Sequence, residues 1–212
     1  MYQPSHFRES RVDVLRAAIR EIRFAIVVGN ADSGLLISHV PMLFDPQPEP
    51  NGRLFGHLAR ANDQWREGSG RPVVAIFLGP HGYISPNWYV TKAETGKVVP
   101  TWNYIAVHVH GRLQSFDDPV RLRAVVTALT DAQEAEFAVP WRVDDAPAAF
   151  IDSQLRGIVG IEIPIDRIEG KWKLSQNRPS ADIDGVVAAL HGIGNDESLA
   201  LARAITAART PA

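Results

Sequence analysis

Four segments of the chain concentrate residue types that bind and react: Ser38-His39, the run Gly56 to Asn62 with His57, Arg60 and Asn62, the stretch Ile84 to Tyr104, and Lys171 to Asn177. Each falls at an expected strand end or loop, where a rigid scaffold displays binding groups. Residues 51–110 carry six Lys and Arg against three acids, so an anion can be held there. Residues 117–145 carry three Arg against seven acids and present a solvated acidic face. His108 and His110 have the i, i+2 spacing of a strand-borne metal pair. Their same-face neighbours Tyr104, Ala106 and Arg112 offer no convincing third ligand, so an interface or core role is expected and no metal site is assigned. The phosphate-loop, Gly-x-Gly-x-x-Gly and Gly-x-Ser-x-Gly patterns are absent. The lack of Cys removes thiolate catalysis, disulfides and the common structural zinc sites.

Those residues need elements to position them. Leu15, Ala18, Ile19 and Ile22 recur at helical spacing behind Ser10 and Asp13, which predicts a first helix from about Arg11 to Ile22. Phe24 to Val28 and Leu35 to Phe44 read as a hairpin across a turn at residues 29–34, and three prolines between Asp45 and Gly52 impose a loop. Strands follow at Arg53–Leu58, Val73–Leu78 and Gly82–Ser85. From Thr101 to Leu113 a period-two pattern separates Ile105, Val107 and Val109 from Trp102, Tyr104, His108 and His110. Asp117-Asp118-Pro119 starts a helix with a Leu122, Val125, Val126, Leu129 stripe. A helix near Pro147–Leu155, a strand over 159–165, a turn at Glu169-Gly170, a strand over 171–174 and helices near Ala181–Leu190 and Asp196–Ala208 complete the reading. Strands in hairpin order with peripheral helices predict a mainly β, antiparallel barrel with helical additions.

The 212 residues suit one large domain, and neither repeat nor free linker divides them. We expect one domain over 1–190, with 191–212 a helical extension packed on it. An apolar fraction of 45% excludes wholesale disorder, and a net charge of −2 gives no general attraction to polyanions. The longest apolar run, Val73 to Leu78, is far below the ~20 residues of a spanning helix. With no export signal at Met1–Glu9, a soluble cytoplasmic protein without membrane contact is expected.

Several motifs together resemble the PaiB family. They are Met1-Tyr2-Gln3-Pro4 with Phe7, Ser38-His39-Val40-Pro41, Gly56 to Asn62 with Trp65, and Tyr83-Ile84-Ser85-Pro86 with Trp88-Tyr89 and Lys92. Val99 to Tyr104 and Lys171 to Asn177 complete the set. The resemblance runs to about Leu190. It implies an FMN-binding split β-barrel, related to the pyridoxamine-phosphate-oxidase-like flavin proteins, working as a homodimer with flavin at the subunit interface. It also implies the role of a negative transcriptional regulator.

FMN requires positive charge and donors for its phosphate, hydrogen bonds for the ring edge and an apolar or aromatic wall. Beside the resemblance, Arg60, Lys92 and Lys173 are the phosphate candidates, with Ser38, Thr101 and Ser175 as neutral donors. Trp88, Tyr89, Trp102 and Tyr104 could wall the ring. His39, His57, Asn62, Asn103, Gln176 and Asn177 could bond its polar edge. A helix amino terminus near Arg60 is expected to add donors. Trp102 and Tyr104 on an alternating strand fit packing or a dimer interface better than a stacking platform, and the asparagines fit turn caps equally. Flavin-dependent redox chemistry or flavin sensing is the leading reading, with enzyme status open. Direct DNA binding has weaker support, from Arg8, Arg11, Arg16, Arg20 and Arg23. A haem-binding relative, using His6, His39 or His191, is the further alternative.

Overall fold

The computed structural model describes residues 1–48 and 50–209; Glu49 of the proline loop and residues 210–212 of the expected extension lie outside the described residues. In chain order the elements are β1 (Arg8–Glu9), α1 (Val12–Ile22), β2 (Phe24–Ala31), β3 (Gly34–Pro41), β4 (Leu43–Asp45), β5 (Arg53–Ala59) and α2 (Gln64–Glu67). Then come β6 (Pro72–Ile84), α3 (Thr91–Thr95), β7 (Thr101–Arg112), β8 (Gln114–Phe116), α4 (Pro119–Glu134), α5 (Ala148–Leu155), β9 (Ile158–Lys173), α6 (Ser180–Ile193) and α7 (Asp196–Ala207). The strands order as β3-β2-β6-β7-β9-β5-β4, with β1 and β8 also paired to β9. The pairs β2–β3, β2–β6, β4–β5, β5–β9, β1–β9 and β8–β9 are antiparallel. The mainly β reading with peripheral helices therefore holds.

Three expected breaks are absent, each for a packing reason. Gly29, Asn30 and Ala31 continue β2, because Gly29 pairs with Leu36 on one side and Val73 on the other, and only Asp32-Ser33 turns the hairpin. Gly79, Pro80 and Gly82 lie inside β6. The β2 ladder on β6 ends at Phe77, so Pro80 removes no donor from it. Glu169-Gly170 is no turn. Gly170 pairs with Glu9, and a Cβ there would lie 2.2 Å from Leu15 Cδ2, so this glycine serves close approach.

The chain divides into two compact units. One comprises Met1–Leu15, Leu78–Val107 and the chain from Glu169 onward. Its core contains Ile84, Tyr89, Leu174, Val186, Leu190, Leu201 and Ile205, which α6 and α7 help to build. The α7 amino terminus is capped by Asn195, whose side chain accepts from the Ser198 amide at 2.8 Å. The buried Asp182 of α6 accepts from the Thr91 amide and hydroxyl at 3.0 and 2.8 Å and so secures the start of α3.

The other unit comprises Arg16–Phe77 and His108–Ile168. Here Asp118 caps α4 through the Arg121 amide at 2.8 Å with Pro119 behind it, as the sequence predicts. Leu122, Val143, Ile151 and Leu155 pack into a cluster under α4 and α5. Among the described residues no helix is long and apolar enough to cross a membrane.

Gly111 gives the packing a direct test. A Cβ at this position would lie 2.2 Å from the Pro164 carbonyl oxygen and 2.6 Å from Ile163 Cγ2. Backbone cannot swing aside as a side chain does, so Gly111→Ala is expected to lower stability by about 1–3 kcal/mol in urea denaturation. A midpoint unchanged from wild type would contradict this register.

Candidate functional site

In the first unit, β7 begins where β9 ends, and this brings four predicted residues together. The Lys173 ammonium donates to the Thr101 hydroxyl. The Asn103 amide nitrogen donates to Ser175 Oγ at 2.8 Å, with both residues buried. Asn103 Oδ1 is buried without a hydrogen-bond partner among the described residues. Ser175 has φ of 65°, a left-handed conformation uncommon for serine that is held where the chain leaves β9. Gln176 closes this turn by accepting from the Leu174 amide at 2.7 Å and donating to the Trp172 carbonyl at 2.6 Å. Its amide serves the backbone.

Lys171, two residues before Lys173, is only 8% exposed, and its ammonium lies 5.3 and 5.4 Å from the ring centres of Tyr2 and Tyr104. Neither lysine has a carboxylate partner among the described residues. Burial pushes the Lys173 ammonium below the ordinary lysine range; the Tyr104 phenol opposes this and Lys171 adds to it. A buried and a partly buried ammonium, with a hydroxyl pair and an amide, are the group types that recognise an anion rich in oxygen. Lys171 stands beside the candidate Lys173 at the i, i+2 spacing of one strand face, a relation the sequence itself shows.

The aromatic candidates lie elsewhere within the same unit. Trp102, between Thr101 and Asn103 on β7, emerges on the opposite strand face and is 55% exposed. Its ring stacks on His81 at 6.4 Å and meets Tyr83 edge-on at 6.4 Å. Tyr89 is a core ring with the Arg178 guanidinium 4.6 Å over it, and Trp88 packs on the same core. Lys92 is exposed on α3 and donates to Asn87 Oδ1 at 2.5 Å.

In the second unit, Ser38 and Asn62 meet: the Asn62 amide donates to Ser38 Oγ at 2.9 Å and its Oδ1 accepts from the Gln64 amide at 2.9 Å. His39 points to the other face of β3 and stacks on Phe24 at 6.2 Å. His57, on β5 opposite Gly160, is half-buried with Nδ1 unpartnered. Burial pushes its imidazole below 6.5, so it favours the neutral form and adds little charge for an anion.

The expected helix start near Arg60 is replaced by a turn after β5, because Asn62 caps the chain and α2 begins only at Gln64. The Arg60 guanidinium is occupied. It donates to both Asp117 carboxylate oxygens at 2.5 and 2.9 Å and to the carbonyls of Arg156 and Ile158 at 2.7 and 2.9 Å. An anion there would compete with four existing bonds. The arginines considered for DNA are also largely engaged. Arg11 pairs with Glu9 at 2.7 Å, Arg16 and Arg20 lie over the Phe44 ring, and Arg23 donates to the Arg20 carbonyl at 2.8 Å.

The strand order with its helical additions defines an antiparallel split β-barrel. The fold matches the FAD and heme binding protein from Mycobacterium smegmatis with a TM-score of 0.56 and 14% identity, over 84% of this chain and 78% of that one. A family model described as "Putative FMN-binding domain" matches residues 1–167, and the chain belongs to that family. The protease synthase and sporulation protein PAI 2 of Bacillus subtilis is 30% identical, over 95% of each chain. An uncharacterized protein, AN0679 of Emericella nidulans, is 32% identical over 97% of this chain and 96% of its own length. The family match thus ends just before Lys171, whereas both relatives span nearly the whole chain.

His57 makes a pH test possible. Its folded-state value lies below the ordinary 6.5, so the unfolded chain takes up the proton first as pH falls. The stability that neutral His57 allows is present above pH 6.5 and is lost below it. Urea midpoints measured across this range should fall less steeply with acidification in His57→Gln than in wild type; equal slopes would remove His57 from the balance.

Proposed function

We propose that the Lys171–Lys173 strip holds the phosphate of FMN, with Thr101, Asn103 and Ser175 as its neutral hydrogen-bonding groups. The observation that carries this reading is the pair of partly desolvated ammoniums without a carboxylate beside them. A phosphate dianion fits this charge, and the unpartnered Asn103 Oδ1 fits a donor such as a ribityl hydroxyl. When bound, FMN supplies one- and two-electron redox chemistry. This chain's residues orient it and limit the water around its phosphate.

We read the cellular role as flavin-dependent redox or flavin sensing linked to transcription, as the PaiB resemblance implies. The internal engagement of Arg11, Arg16, Arg20 and Arg23 favours regulation through the flavin over an arginine patch on DNA.

The working form is a homodimer in this reading. Phe24, Leu35 and Ile37 are 54, 71 and 56% exposed on the outer face of β2 and β3. Register sets Val28 beside Ile37 and Val74, and Ile26 beside Ile76, all on that face. The opposite face of the same strands buries Ala25, Val27, Ala75 and Phe77. Strands apolar on both faces call for cover on both, and this patch contains no Lys, Arg, Asp or Glu. A second copy of the same patch is a self-complementary cover.

Titration of the protein into FMN, followed by flavin fluorescence, tests the site. Lys173→Gln should weaken binding about tenfold or more, while Arg60→Gln should stay within about threefold of wild type. The ammonium form binds the anion, so affinity should fall on the alkaline side before an ordinary exposed lysine would lose its charge. Equal affinities for wild type and Lys173→Gln would reject the strip. Independently, sedimentation should find wild type dimeric and Ile37→Asp monomeric; a wild-type monomer rejects the interface.

A further inference from the structure

The rings around Trp102 form a second feature with its own chemistry. His81 and Tyr83 are two residues apart on β6, and Trp102 is on the neighbouring β7, so the three rings gather on one side. Across from them α6 and α7 close a cleft of about 400 Å³ that also exposes Ile193 and Glu197. Gly82 allows the close approach of α7: a Cβ there would already lie 3.0 Å from Leu201 Cδ2. Tyr83 and Trp102 are 49 and 55% exposed, so large π surfaces face the opening.

The charge of the cleft differs from that of the lysine strip. Among the described residues no Lys or Arg lines it, and its lining carries His81, Glu197 and the Tyr83 phenol. His81 Nδ1 lies 3.1 Å from the Gly79 carbonyl oxygen, and Nε2 lies 3.2 Å from Glu197 Oε1. The Glu197 carboxylate is 61% exposed and remains open to an incoming charge. Asp196 and Glu197 in the first turn of α7 outweigh the roughly half positive charge of the helix terminus. A phosphate is disfavoured here. Ring faces beside a carboxylate instead match an organic cation, which gains cation–π attraction and charge pairing together.

We infer that this cleft binds a small organic cation of the alkyl- or arylammonium class, seated on the faces of Trp102 and Tyr83 with Glu197 as its counter-charge. The site is distinct from the anion strip: neither Lys171 nor Lys173, nor Thr101, Asn103 or Ser175, lines the cleft. It goes beyond the flavin reading and does not depend on it.

Choline serves as the probe, and its uncharged dimethylbutanol isostere as the control, on protein saturated with FMN and on protein without it. Indole N–H shifts in NMR report contact at Trp102. Saturable binding of choline at least about fivefold tighter than the isostere is expected, and weakened about fivefold by Trp102→Leu and by Glu197→Gln. FMN affinity should be unchanged in Glu197→Gln, which separates failure here from failure of the phosphate site. Equal binding of choline and isostere, or no effect of Glu197→Gln, would overturn the proposal. So would a change of oligomeric state in Trp102→Leu with no choline binding to wild type, since a second copy would then fill the cleft. Glu197 is exposed, so its variant preserves the test if Trp102→Leu fails to fold.

Discussion

Backbone pairing along the sixteen residues of β9 is the constraint on which the sites depend. Its early part takes β5 on a seven-residue register and β8 beside it, while its late part takes β1 at Lys171 and Gly170. A strand recruited by so many partners tolerates no slip, because a shift of one residue reverses every side chain. Two glycines make the crowding possible. A Cβ at Gly160 would lie 2.2 Å from the Phe116 ring, and one at Gly170 equally close to Leu15. The register then sets Lys171 opposite Arg8, with Lys173 on the same strand face, and delivers the chain to Ser175.

This explains where reading the sequence succeeded and where it stopped. Local signals sufficed for α1, α4 and the hairpin partners, since capping residues and apolar stripes act within a few residues of themselves. Gly29, Pro80 and Gly170 misled because glycine and proline look alike in a turn and at a crowded strand. Only knowledge of the neighbouring strand distinguishes them, and that information is not local. Reading residues 79–82 as a break also hid the i, i+2 relation of His81 and Tyr83, and with it the aromatic cleft.

The site residues divide along the same line. Residue type alone marks Thr101, Asn103, Lys173 and Ser175 as candidates, and the strands bring them together. Arg60 has the same chemical type, yet its guanidinium is satisfied by Asp117, more than fifty residues away in sequence. Charge counted along the chain cannot detect such pairing. The +3 middle segment therefore overstated the free positive charge, while Lys171 lay outside it.

The lysine strip and the aromatic cleft also differ in what they demand of the protein. Burying an ammonium without a counter-charge disfavours the charged form, and Lys173 carries that penalty in its lowered proton affinity. Lys171 beside it makes the cost larger. An anion bound there would relieve both desolvation and repulsion, so its binding energy would also restore proton affinity. The cleft carries no such penalty, because His81 and Glu197 already meet and Glu197 remains largely solvated. A cation there gains from ring faces with little relief of strain. The two features thus differ in charge rather than in strand face: the lysines carry positive charge without a carboxylate beside it, whereas Glu197 lines the cleft.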